Sequence, residues 1–88
     1  MTQEVADLIA RLEAGEVSNE LDVLVEVALF DPDGEPYVGC RANAAGTKVV
    51  YTRKDGKEQT CWPQEWCKGK SRTGALSLLR AKIEAGGK

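Results

Sequence analysis

The first apolar positions of the chain recur with the spacing of an amphipathic helix. They form one continuous stripe at i, i+3, i+4 and i+7, which consists of Val5, Leu8, Ile9 and Leu12. The pattern therefore predicts a helix over Thr2 to Ala14. Gly15 follows directly, and we expect it to end this helix in the left-handed conformation, which glycine adopts without steric cost.

The next apolar stretch, Leu21 to Phe30, fits two structures. A helix would align Leu21, Leu24, Val25, Ala28 and Leu29, whereas a strand would align Leu21, Val23, Val25, Val27 and Leu29. Glu20 and Asp22 favour the helix, because acidic side chains suit its first turn, and Ser18 or Asn19 offers an N-cap. We therefore predict a helix, followed by a type I turn at Asp31-Pro32-Asp33-Gly34.

The centre of the chain predicts an antiparallel meander of three strands. Tyr37 to Ala42 forms the first strand, and a short connection leads to a second strand over Thr47 to Lys54. Asp55-Gly56 then predicts a hairpin with a two-residue loop. In that register Arg53 faces Glu58 and Val49 faces Trp62, so Trp62 is expected in the core.

Proline and further polar residues follow the hairpin. Pro63 cannot donate to a ladder, so strand pairing should end there, and Gln64 to Cys67 is expected to form a turn or a short fourth strand. Lys68 to Lys70 is expected to be a loop. Ser71 or Thr73 should cap a last helix that runs to about Ala85.

The predicted order is α-α-β-β-β-α. A chain of 88 residues with this order forms a single domain, over residues 1–88. The predicted fold class is therefore α+β, with an antiparallel sheet of three to four strands packed against helices.

The composition restricts the kinds of function that the sequence favours. The net charge of −2 argues against a general polyanion binder, and the absence of histidine removes the commonest general base and a common zinc ligand. Three cysteines form an odd set without metal-site spacing, so we expect free thiols, with Cys40 and Cys61 buried in strands. The sequence predicts no metal, no cofactor and no catalytic residues, and favours a protein that is not an enzyme.

The chain also lacks targeting signals. It has no apolar run of membrane length, and its start has neither the basic residues nor the apolar core of a signal peptide. We therefore expect a cytoplasmic location and no membrane partner.

Two parts of the chain carry a family resemblance. Leu8 to Ala14, with Ser18-Asn19-Glu20-Leu21-Asp22 after it, resembles the opening of the small phage "ABA sandwich" domain proteins, and Thr73 to Lys82 is similar to their closing helix. The resemblance implies a phage or prophage origin. Small early phage proteins of this sort commonly bind a host protein, so an inhibitor of a host defence system, anti-CRISPR-like or similar, is the expected function.

Pro63 to Arg72 is the predicted partner-binding surface. Trp66, beyond Pro63 and flanked by Glu65 and Lys68, is the first choice for an interface residue, because exposed tryptophan often anchors protein interfaces. The same surface includes Glu65, Lys68, Lys70 and Arg72.

Nucleic-acid binding is the alternative. Lys68, Lys70 and Arg72 open the final helix after a three-stranded sheet, which resembles a double-stranded RNA-binding domain, and Lys48 would contribute a further charge. The acidic balance counts against it, as does Asn43-Ala44-Ala45-Gly46 in place of that family's histidine-bearing loop.

Two further hypotheses are compatible with the sequence. A pocket that sequesters a nucleotide or another small molecule could lie between helices and sheet. An exposed outer strand or a bare sheet face would favour a homodimer.

Overall fold

The structure is a computed structural model that describes residues 2–30 and 36–86. Its elements follow the predicted order α-α-β-β-β-α, which confirms the α+β fold class. They are α1 (Thr2–Glu13), α2 (Asn19–Leu29), β1 (Tyr37–Ala42), β2 (Val49–Arg53), β3 (Glu58–Cys61) and α3 (Gly69–Gly86).

The first two helices begin and end where local chemistry favours it. Gly15, the second residue after α1, adopts a left-handed φ of +87°, as predicted. Ser18 caps α2 with an extended backbone, and its Oγ accepts a hydrogen bond from the Leu21 amide at 3.1 Å. The helical prediction for this stretch is therefore confirmed. The predicted turn from Asp31 to Gly34 lies outside the described residues.

Helix α2 lies at the centre of the fold. It contacts α1 and α3 on one side and the strands β1 and β2 on the other, whereas α3 contacts no strand within the described part of the chain. The main buried cluster joins the three helices to the residue that precedes α3 by two positions, and consists of Leu8, Leu12, Leu21, Val25, Cys67, Ala75 and Leu79. Burial of these apolar side chains is the main stabilising contribution to the packing of the helices.

The sheet is antiparallel with the order β1-β2-β3. The first strand has the predicted bounds, and a bulge at Val38 interrupts its pairing with β2. A fourth strand over Gln64 to Cys67, one of the two predicted alternatives, is absent, because those residues form an irregular segment and a turn.

The predicted register of the second hairpin is wrong by one residue. Val49 faces Cys61 and Thr52 faces Glu58, so the loop contains three residues, Lys54 to Gly56, rather than two. A two-residue type I′ loop requires positive φ at both central positions, which costs a non-glycine residue energy. The longer loop places only Gly56 in the left-handed region, at φ +88°.

This shift changes which residues share a face of the sheet. The face toward α2 carries Cys40, Ala42, Val49, Tyr51, Gln59 and Cys61, and the opposite face carries Arg41, Val50, Thr52, Glu58 and Thr60. Glu58 therefore pairs with Arg41 at 2.7 Å, and not with Arg53 as predicted. Trp62, which follows Cys61, is 67 % exposed, so its predicted place in the core is wrong.

Two smaller predictions also need correction. Helix α3 begins at Gly69, two residues before the earlier of the two predicted caps, so the predicted loop over Lys68 to Lys70 is shortened to Lys68, and Gly69 enters the helix with a left-handed φ of +53°. Cys40 and Cys61 are half-buried strand residues, whereas Cys67 is the fully buried cysteine. All three thiols are free.

Candidate partner-binding surface

The residues from Trp62 to Lys68 connect β3 to α3, and we call them the connecting segment. Although it contains neither helix nor strand, helix α2 holds it at two points. The backbone amide of Gln64 donates to Oε1 of Glu26 at 2.7 Å, and the backbone amide of Cys67 donates to Oδ1 of Asp22 at 3.0 Å. Asp22 and Glu26 are four residues apart in a helix, so their carboxylates lie on one face and fix the segment against it.

Glu26 accepts hydrogen bonds from three parts of the fold. Besides the bond from the Gln64 backbone amide, it accepts one from the Tyr51 hydroxyl on Oε2 at 2.5 Å and one from the Trp66 indole Nε1 on Oε1 at 3.3 Å. One carboxylate thus joins α2 to the central strand and to both ends of the Gln64–Trp66 turn. Burial, followed by the hydrogen bond to Glu26, raises the pKa of the Tyr51 hydroxyl above its ordinary value, so this hydroxyl remains a donor at neutral pH.

The end of the connecting segment is held from α3. Arg72 donates through Nε and a terminal nitrogen to the Cys67 carbonyl, at 3.0 and 2.5 Å, and reaches the Gly15 carbonyl at 3.4 Å. Arg72, predicted as a partner contact, therefore bonds within the molecule. The adjacent Cys67 thiol lies in the core, and its burial raises its pKa to about 11.

The other predicted site residues divide by exposure. Trp66 is half-buried and packs against the helical core, so only part of its side chain is accessible at the surface. Glu65 and Lys68 are exposed, with Nζ of Lys68 4.0 Å from Oε2 of Glu65. Lys70 is exposed in the first turn of α3. The structure therefore brings Glu65, Lys68 and Lys70 to the surface around the turn that Trp66 and Arg72 hold.

Trp62 is the exposed tryptophan of the connecting segment. It continues β3 beyond Cys61 and lies beside Lys48, whose Nζ is 4.6 Å from the ring centroid. That distance is within the range of a cation–π interaction. No helix contacts this face of the sheet within the described residues, where the Arg41–Glu58 ion pair links the two edge strands. Trp62 and Lys48 thus form an open aromatic and basic corner.

A small pocket lies next to the connecting segment, between α2, the sheet and α3. It has a volume of about 350 Å³ and is lined by Glu26, Leu29, Phe30, Tyr37, Tyr51, Gln64, Trp66 and Leu78. The Tyr51 ring contacts two other rings, with centroid distances of 5.9 Å to Phe30 and 5.0 Å to Tyr37. The pocket therefore combines several aromatic rings with one carboxylate.

A larger groove of about 840 Å³ opens between α1, α2 and the end of α3. Apolar side chains form most of it, with Glu4, Asp7, Arg11 and Lys82 at its charged positions. Arg11 already pairs with Glu16 at 2.5 Å and with Glu20 at 3.1 Å. This groove has no convergent set of donors that would hold a phosphate.

Sequence reasoning missed the role of Glu26. The available signal was the second of two carboxylates inside the apolar run from Leu21 to Leu29, which lies four residues after Asp22. A charged residue within a stripe that faces the core is expected to have partners, because an unpaired buried carboxylate is costly. That reasoning would have placed Glu26 at an internal junction.

Three observations complete the description. Within residues 2–30 and 36–86, no cluster of three or more cysteine or carboxylate side chains could hold a metal ion. None of the helices in the same ranges has the length and apolar character that crossing a bilayer requires. Comparison with protein-family models, with curated proteins and with solved structures finds no match to this chain.

Proposed function

We propose that this protein acts by binding another protein through the connecting segment and the adjacent Trp62–Lys48 corner. The observation that carries the proposal is an exposed tryptophan on an irregular segment that helix α2 anchors through Asp22 and Glu26. Tryptophan is enriched among the residues that contribute most to protein interfaces.

The anchoring supports binding for an energetic reason. Ordering a flexible loop at an interface costs free energy, so a loop that is already fixed binds more tightly for the same contacts. Here Gln64, Trp66 and Cys67 are fixed from within, whereas Trp62, Glu65 and Lys68 remain at the surface. The surface offers an aromatic anchor with charges of both signs around it, which suits a polar interface rim.

The target class follows from the resemblance to the small phage ABA sandwich proteins. A host protein, and specifically a component of a host defence system, is the target that we propose, and the action is inhibition by occupation of that component's surface. This role requires no catalytic group, cofactor or metal in the chain. It places the protein in the host cytoplasm.

The positions of the basic residues give less support to double-stranded RNA binding. Arg72 bonds two backbone carbonyls, Lys48 lies over Trp62, and Lys68 lies beside Glu65. Lys70 is the cation of that set with no such partner among the described residues. Phosphate binding needs several cations directed at one backbone, and each internal contact here competes with it.

Affinity capture tests the proposal. Tagged protein is exposed to nuclease-treated lysate of a bacterial host, and captured proteins are quantified by mass spectrometry for the wild type, Trp62→Ala and Val38→Ala. Val38 is a matched control, because it is 54 % exposed on β1, at the opposite edge of the sheet from β3 and at the end of the strand away from Lys48. We expect a specific host protein whose recovery falls at least about tenfold with Trp62→Ala and is unchanged with Val38→Ala.

Three results would contradict the proposal. They are the absence of any enriched host protein, equal recovery by wild type and Trp62→Ala, and enrichment that is seen only in a parallel lysate without nuclease treatment. If an untagged copy of this chain, expressed in the same host, is the only protein enriched, a homodimer replaces the host target.

A further inference from the structure

The pocket beside the connecting segment contains a carboxylate, Glu26, that has no cationic partner among the residues that the structure describes. Glu26 accepts three hydrogen bonds, from the Tyr51 hydroxyl, the Gln64 amide and the Trp66 indole, and all three donors are neutral. Within residues 2–30 and 36–86, Glu26 forms no ion pair. The carboxylate is therefore fixed in position while its charge is not neutralised.

The walls of the pocket suit an organic cation. Phe30, Tyr37 and Tyr51 form a chain of ring contacts, and Trp66 reaches the same carboxylate. The faces of aromatic rings attract cations, and the attraction is stronger where water is partly excluded. Each of these four rings is half-buried, so the site is sheltered and still open to a ligand.

The remaining lining residues add an apolar channel. Leu29 and Leu78 line the pocket next to the rings, and Leu78 is 51 % exposed, which places it at the mouth. A lysine side chain combines an apolar stem of four methylene groups with an ammonium head. The stem matches the leucine side chains, and the head matches Glu26 and the rings.

We infer that this pocket binds the ammonium group of a lysine side chain presented by the partner protein. The inference rests on the proposed function, since it names the chemistry of the partner at a second point beside Trp62. It predicts a partner whose surface carries a protruding lysine next to an apolar or aromatic patch.

The occupied lone pairs of Glu26 select ammonium over guanidinium. A carboxylate offers about four acceptor positions, and the described residues occupy three of those on Glu26. Arginine binds carboxylates best through two parallel hydrogen bonds, which one remaining position cannot accept. Lysine acts as a point charge and needs only one acceptor, with the rings around the rest of the head.

NMR titration of the isolated protein tests this inference without the partner. Three probes are compared at constant ionic strength: the methylamides of N-acetyl-lysine, N-acetyl-norleucine and N-acetyl-arginine. The indole N–H of Trp66 reports on the pocket, because it bonds Glu26 at 3.3 Å, and the indole of Trp62 serves as an internal control on the other face of the sheet. A Trp62→Phe variant assigns the two resonances.

We expect the lysine probe to shift the Trp66 resonance saturably, with an affinity at least about fivefold above that of norleucine, and to leave the Trp62 resonance unmoved. Glu26→Gln should abolish this preference. Glu84→Gln removes one carboxylate from the exposed face of α3, outside the pocket, so the preference should remain. If Glu26→Gln fails to fold, the comparison between lysine and norleucine in the wild type still decides.

The inference is overturned if norleucine binds as well as lysine, if arginine binds more tightly than lysine, or if no probe moves the Trp66 resonance. Such a result would leave partner capture through Trp62 intact. Conversely, a lysine-specific shift without any captured partner would contradict the proposed function and leave the pocket as a cation site.

Discussion

The Tyr51 hydroxyl donates a 2.5 Å hydrogen bond to Oε2 of Glu26, which joins the central strand to the central helix. The other oxygen of the same carboxylate accepts the Gln64 amide and the Trp66 indole. The sheet, helix α2 and the connecting segment therefore depend on one side chain. This junction fixes the irregular part of the chain that carries the proposed binding surface.

Glu26→Ala should lower the free energy of unfolding by about 2 kcal/mol, because three donors lose a charged acceptor and water replaces it only in part. Tyr51→Phe removes one of these bonds and should cost about 1 kcal/mol. Urea denaturation followed by circular dichroism measures both. Glu84→Ala, on the exposed face of α3, is the control and should stay within about 0.5 kcal/mol of the wild type. Equal stability of Glu26→Ala and the control would show that Glu26 is not a junction.

Two glycine substitutions should act in opposite directions. Gly56→Ala should destabilise the protein by about 1 kcal/mol, because the three-residue loop holds Gly56 at φ +88°. Gly74→Ala should stabilise it by about 0.5 to 1 kcal/mol, since Gly74 lies inside α3 with open space where the new methyl group would sit. Thermal unfolding compares the two variants. A neutral Gly56→Ala substitution would contradict the left-handed conformation of Gly56 in this loop.

Arg72→Lys should lower stability by about 1 kcal/mol, because a lysine cannot reproduce the two bonds of the guanidinium to the Cys67 carbonyl. Lys70→Ala changes a neighbouring exposed cation and should stay within about 0.5 kcal/mol of the wild type. Urea denaturation of the two variants separates a structural role for Arg72 from a surface role. If both substitutions were neutral, Arg72 would act only as a surface charge.

The stability should fall in acid partly through Glu16. Its hydrogen bond from Arg11, with a further one from Ser18, lowers the pKa of Glu16 from 4.5 to about 2. Between these values the unfolded chain binds a proton that the folded protein does not, so this contribution is present above pH 4.5 and disappears as the pH falls to about 2. Glu16→Gln should therefore reduce the slope of unfolding free energy against pH in this window. An unchanged slope would contradict the assignment.

Much of the fold could be predicted because local signals agree with tertiary packing. The stripe of α1, the Ser18 cap of α2 and the strand-favouring Tyr37 and Val38 of β1 each define an element without distant information. The choice of helix for α2 was decided by its acidic first turn, and the structure confirms it. Helix α3 begins earlier than predicted. The Lys68 carbonyl already accepts a hydrogen bond from the Ser71 backbone amide, so Ser71 lies inside the first turn and is not the residue before it.

The candidate surface was harder to predict, because a one-residue difference in a loop reverses the faces of a strand. Asp-Gly is compatible with a two-residue loop and with a three-residue loop, and the choice decides whether Trp62 faces the helices. The same difference separates the roles of the two tryptophans: Trp66 is held against the core, and Trp62 is exposed beside Lys48. The sequence predicts a surface between Pro63 and Arg72 with Trp66 exposed, whereas the exposed tryptophan of the structure is Trp62.

Isothermal titration calorimetry with the purified partner tests the central claim most directly. The wild type, Trp62→Ala and Val38→Ala are titrated after circular dichroism has shown that all three are folded. We predict a Kd that rises at least about tenfold for Trp62→Ala, the loss expected for a central aromatic contact, and does not change for Val38→Ala. The same Kd for Trp62→Ala and the wild type would contradict the claim that this protein binds its partner through the connecting segment.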